Sequence, residues 1–108
     1  MSFDDQVRAA LDLLPPKVAA ALENVAVVVE DENAEEPDIF GLFEGVPLPE
    51  RGDAAGLLPD KITIYRLPLE ESFPDETELR EEIRVTVLHE LGHYFGLDEE
   101  RIAELGYE

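Results

Sequence analysis

His89, Glu90, His93, Gly96 and Glu99 fall in the order His-Glu-x-x-His-x-x-Gly-x-x-Glu, and these residue types at this spacing predict a zinc site. On an α-helix, residues four apart lie nearly one above the other, so His89 and His93 can offer their imidazoles to one ion. Glu90 lies roughly 100° around the helix from His89, off the line of the two rings but within reach of a water beside the metal. Zinc lowers the pKa of water from about 15.7 to about 7, and a neighbouring carboxylate can take the proton as the oxygen attacks a polarised carbonyl. The chemistry implied is amide hydrolysis with Glu90 as general base. Gly96, three residues after His93, lets the helix stop and the chain turn back, so that a third ligand can come from beyond the turn.

Three acids follow that turn, Asp98, Glu99 and Glu100. Asp98 suits the N-cap of a last helix through Arg101, Ile102 and Leu105, because its short side chain can accept from the first-turn amides. Glu99 is then left to point back at the metal, and its spacing from His93 is that of the third ligand in extended motifs of this kind. The competing reading is that Glu99 and Glu100 only complement a helix N-terminus. A five-residue His-Glu-x-x-His match can also arise by chance. The helical wheel opposes that: with His89 at zero, His93 falls near about 40° and Thr86 near about 60°, while Val87, Leu88, Leu91 and Phe95 gather at roughly 160 to 260°. The chain's only two histidines therefore face away from the apolar stripe.

The elements that must carry this motif are few. At 108 residues the chain reads as a single domain over 1–108 with one modest core. Without cysteine, any metal must be held by histidine and carboxylate, and a reducing compartment fits. No signal pattern opens the chain and no apolar run approaches the ~18 residues that span a bilayer, so a cytoplasmic protein is expected. The 27 acids against 8 bases, net −19, disfavour nucleic acid and anionic membrane as partners. Such a surface could attract a basic peptide or protein, or serve general solvation.

Ser2 and Asp5 form a plausible capping pair, followed by Phe3, Val7, Ala10, Leu11 and Leu14 at helical spacing. Pro15-Pro16 ends that helix, and Pro16 opens a second through Val18, Ala19 and Leu22; both are expected to cover one face of a sheet. Val25–Glu30, rich in β-branched residues, predicts a strand at or near the sheet centre. Six acids within Glu30–Asp38 predict a solvated loop, without the spacing of a calcium loop. Residues 39–59, rich in Gly and Pro, predict a long irregular segment at the cleft rim, anchored by Ile39, Phe40, Leu42, Phe43, Val46 and Leu48; its Arg51-Gly52-Asp53 tripeptide reads as coincidence. Lys61–Arg66 alternates as a second strand. Pro68 places it at an edge, where it could pair with extended substrate. Asp75 then starts the long motif helix, with Glu76, Glu78, Glu81 and Glu82 toward its positive end.

The motif with Val25–Asp31, Gly41–Leu48 and Ile62–Arg66 resembles the small bacterial zincin-like metallopeptidases, the minimal zincins. That resemblance implies an α+β fold with a small mixed β-sheet packed with helices, the motif helix beneath it. It also implies Zn2+ held by His89, His93 and the acid at 99, with Glu90 as catalytic base. The family commonly carries Asp where this chain has Glu99, so Asp98 is the other acid that could serve. The Met-turn of metzincins is missing, and Glu104 is a third, more remote possibility for the ligand. The expected function is zinc-dependent hydrolysis of a peptide or flexible protein segment. The alternatives are a non-catalytic metal-binding or interaction module whose acidic face engages a basic partner, and, more weakly, a mimic of nucleic acid.

Overall fold

The computed structural model describes residues 2–45 and 60–104. Five helices and three strands follow in the order α1 (Phe3–Asp12), α2 (Pro16–Ala21), a 3-10 turn (Leu22–Asn24), β1 (Val25–Glu30), β2 (Gly41–Glu44), β3 (Asp60–Tyr65), α3 (Arg66–Ser72), α4 (Glu76–Tyr94) and α5 (Glu99–Glu104). This is the α+β class expected, with a mixed sheet. Val46, Leu48, the Arg51-Gly52-Asp53 tripeptide and Leu105 lie outside the described residues.

The helix starts follow the sequence. The Asp5 N–H donates to Ser2 Oγ (3.1 Å) and the Ser2 N–H to Asp5 Oδ2 (3.4 Å), a reciprocal cap on α1. Pro16 opens α2, where its missing N–H has no partner to lose. Asp75 caps α4 by accepting from the Glu78 amide (2.9 Å). α1 packs chiefly on α4 rather than on the sheet. Phe3, Val7, Ala10 and Leu14 join Ile62, Ile64, Leu79, Ile83, Val87 and Leu91 in one core.

Strand order is β1-β3-β2, with β1 parallel and β2 antiparallel to β3. The sequence places Val25–Glu30 at or near the centre and the 61–66 strand at or near an edge; among the described residues the structure reverses them. β3 is central, and Ile62, Thr63, Ile64 and Tyr65 are at most 2% exposed, so both its faces are covered. β1 is an edge strand whose valines are largely half-buried. Pro68 does not mark an edge. It sits in the third position of α3, where a helix asks no N–H of its residue. The edge strand beside the motif helix is instead β2, within the segment expected to be irregular.

The 31–38 segment is exposed except for Asn33. Its Oδ1 accepts from the Glu35 and Glu36 amides (2.9 and 2.8 Å) and its Nδ2 donates to the Tyr65 hydroxyl (2.9 Å), which pins the loop to the end of β3. Arg66 donates to Asp31 (2.9 Å) and to Glu70 (2.7 Å), and these carboxylates hold its guanidinium pKa above the usual value. Among the described residues no helix is long and apolar enough to cross a membrane.

Candidate metal centre

α4 delivers His89, Glu90 and His93 in its last two turns, then ends on a backbone device written into the sequence. Gly96 takes φ +84°; its N–H donates to the His93 carbonyl (2.9 Å) and the Leu97 N–H to the Gly92 carbonyl (2.9 Å). These two bonds make a Schellman cap, and the left-handed residue within it is the position that favours glycine. The chain reverses and α5 begins at once. Asp98 Oδ1 accepts from the Arg101 amide (2.9 Å), so Asp98 is the cap of α5, as the sequence predicts. Glu104 Oε2 faces Arg101 (3.0 Å).

Among the described residues α5 is held by one buried side chain, Ile102, which is fully enclosed. A Cβ on Gly92 would lie 2.8 and 2.9 Å from Ile102 Cγ1 and Cδ1; the glycine inside the motif is thus the space into which α5 docks. That docking turns Glu99 back over α4. Glu99 Oε1 lies 2.8 Å from His93 Nε2 and 3.3 Å from His89 Nε2, and Oε2 lies 3.2 Å from His89 Nε2. The two rings stand edge to face with centroids 5.1 Å apart, each presenting the same nitrogen. Two imidazole nitrogens and one carboxylate therefore converge, a donor set that suits zinc.

Glu90 approaches from the other side. Its Oε2 is 3.9 Å from His89 Nε2, and donor atoms of His89, Glu90 and His93 all lie within 4.8 Å of one another. Unlike Glu99, whose side chain is 70% exposed, Glu90 has a side chain only 10% exposed, because β2 lies across it. The Phe40 carbonyl accepts from the Tyr65 amide (2.9 Å), so in the antiparallel ladder Phe40, Leu42 and Glu44 turn their backbones to β3 while Gly41 and Phe43 turn theirs outward. The Phe43 backbone hydrogen-bonds the Glu90 carboxylate. Burial pushes the Glu90 pKa up; the nearby His89 and His93 and the Phe43 bond oppose that shift, and Glu99 adds to it.

The sequence offered no sign of this role for β2. The close approach depends on Gly41: a Cβ there would meet Thr86 Cγ2 at 2.7 Å and the Thr63 carbonyl oxygen at 3.2 Å. Thr86 cannot swing away easily, since its Oγ1 donates to the Glu82 carbonyl (2.7 Å). Gly41→Ala is therefore expected to destabilise the fold by about 1–3 kcal/mol, the usual range for overpacking, read as a lower urea midpoint. The Phe43 ring braces the same strand edge-on against Tyr94, with centroids 5.9 Å apart.

A cleft of about 670 Å3 opens between β2 and α4. Its walls are Ile39–Phe43 and, along one stripe of the helix, Glu82, Val85, Thr86, His89, Glu90 and His93; Glu99, Glu36 and Asp38 complete it. The expectation that the segment after residue 39 borders the cleft is met by Ile39 to Phe43.

A family model for zincin-like metallopeptidases matches residues 22–107, and the chain belongs to that family. A comparison with curated proteins gives no match.

Proposed function

We propose that the chain is a zinc-dependent peptidase in which His89, His93 and Glu99 hold the metal and Glu90 is the general base. The observation that carries this reading is the convergence of Glu99 with both Nε2 atoms on one side, while Glu90 enters from the buried side under β2. Three protein ligands with a position left open are the pattern of catalytic rather than structural zinc. Zinc, when bound, supplies a Lewis acid that polarises a scissile carbonyl and makes water a better nucleophile at neutral pH. The chain's residues do the rest. Glu90 takes a proton from the attacking water and returns it to the leaving amine. The outward backbone of Gly41 and the Phe43 carbonyl, on an edge strand, give an extended substrate a place to pair.

Protein loaded with zinc is expected to bind one ion and to cleave an unstructured peptide; a chelator should stop cleavage and added zinc restore it. Stoichiometric zinc with no cleavage of a broad peptide mixture would overturn the peptidase reading. One observation favours a second reading, a non-catalytic metal module: Glu90 is close enough to His89 and His93 to close the shell as a fourth ligand. X-ray absorption on the zinc protein separates the two, since four protein ligands and no solvent would support the module.

A further inference from the structure

The cleft has two unlike ends. Gly41 meets Thr86 and Glu90, Phe43 meets Tyr94, and Phe40 stacks edge-on with Phe73, just before α4, at 5.6 Å. β2 and the residues leading into it thus run in the same direction as α4, and the cleft extends from the two histidines back toward the start of that helix. Beyond the metal end the walls are apolar, from Phe40, Ile39 and Val85, and farther on they carry Glu82, Glu36 and Asp38.

Among the described residues these three carboxylates have no cationic partner. Most of the described bases are engaged elsewhere: Arg8 with Asp5, Lys61 with Glu44, Arg66 with Asp31 and Glu70, Arg84 with Glu81, and Arg101 with Glu104; Lys17 is on α2, outside the cleft lining. Arg80 donates to Gln6. Among the described residues no lysine or arginine lines the cleft. An apolar wall that leads to unpaired carboxylates matches the shape of a lysine or arginine side chain, a hydrocarbon stem with a charged tip.

Deepening the peptidase reading, we infer that the cleft takes peptides with an arginine or lysine two or three residues from the bond that is cut. Glu82 precedes His89 by seven residues, about 10 Å along a helix. An extended peptide advances about 3.3 Å per residue, so its third side chain from the metal is level with Glu82, and a long side chain on the second reaches the same place.

The test uses Glu90→Gln protein loaded with zinc and pairs of decapeptides that differ only by arginine or its neutral isostere citrulline at one position. Wild-type protein with the same peptides maps the cleaved bond. The arginine peptide is expected to bind about tenfold tighter at low salt, the sum of a few partly exposed charge pairs. The advantage should vanish in the triple variant Glu36→Gln, Asp38→Asn, Glu82→Gln and persist in Asp4→Asn, Asp12→Asn, Glu23→Gln, which removes as much charge outside the cleft. Equal binding of the two peptides, or equal loss in both triple variants, overturns the inference by showing no preference or only bulk attraction. Cleavage by the wild type that ignores arginine also overturns it and leaves the peptidase reading standing. An arginine preference in binding without any cleavage supports the ligand class and defeats the peptidase reading instead.

Discussion

Glu90→Gln protein is expected to keep its zinc and to cleave peptide about 10²–10⁴ times more slowly, the range for losing a positioned general base. The substitution is close to silent in shape. Glutamine has the volume of glutamate, its side-chain oxygen can still accept from the Phe43 backbone, and β2 can lie across it as before. What disappears is basicity. Because burial already disfavours the charged form of Glu90, the neutral amide should leave the fold no less stable, so a fall in rate cannot be put down to unfolding. Metal analysis alongside kcat/KM completes the measurement. Undiminished cleavage would remove Glu90 from the mechanism, and loss of zinc would make it a ligand.

The second large effect is structural. Ile102→Ala is expected to lower stability by about 2–5 kcal/mol, the range for truncating a buried isoleucine, and zinc affinity by about 10–100-fold, as when support for a metal ligand is lost. Ile102 is the only buried residue of α5 among those described, and it fills the space above Gly92. A helix of six residues has no stability of its own in water. With the anchor shortened, Glu99 is no longer held over His89 and His93, while α4 retains its cap and core contacts. Urea denaturation gives the first number and a zinc competition titration the second. Unchanged zinc affinity in a destabilised variant would mean that Glu99 contributes nothing to the site.

Much of the site was legible because its determinants are local. Four-residue spacing puts His89 over His93 in any helix, Gly96 announces its stop, and Asp98 is a cap before it is anything else. Strand order was not legible, because burial of a strand depends on what lies over both its faces. Val25–Glu30 looks like a strand covered on both sides, yet it is an edge. Lys61–Tyr65 alternates as if one face were wet, but Thr63 and Tyr65 on its nominally polar side are buried. Their β-branched and aromatic side chains were the available signal, since both types favour strands, although Thr63 is buried with its hydroxyl unpartnered. β2 was hidden for another reason: four residues headed by a glycine carry too little pattern to identify a strand, and Gly41 is there to let two backbones approach, which no periodicity encodes. The burial of Glu90 followed β2 into obscurity. α3 was missed because Pro68 reads as a strand stop, when the first turn of a helix accepts it as readily.

In the proposed site the two imidazoles and the third donor belong to different helices, joined by the reversal at Gly96 and by Ile102 packed over Gly92. An ion gripping all three therefore acts as a clasp between α4 and α5. Some of its binding free energy is spent on ordering the C-terminal helix, and the same linkage returns to the protein as resistance to unfolding whenever the ion is present. Loading and local ordering are then one equilibrium: scarce zinc leaves α5, among the described residues, to the Ile102 anchor, and abundant zinc locks it down.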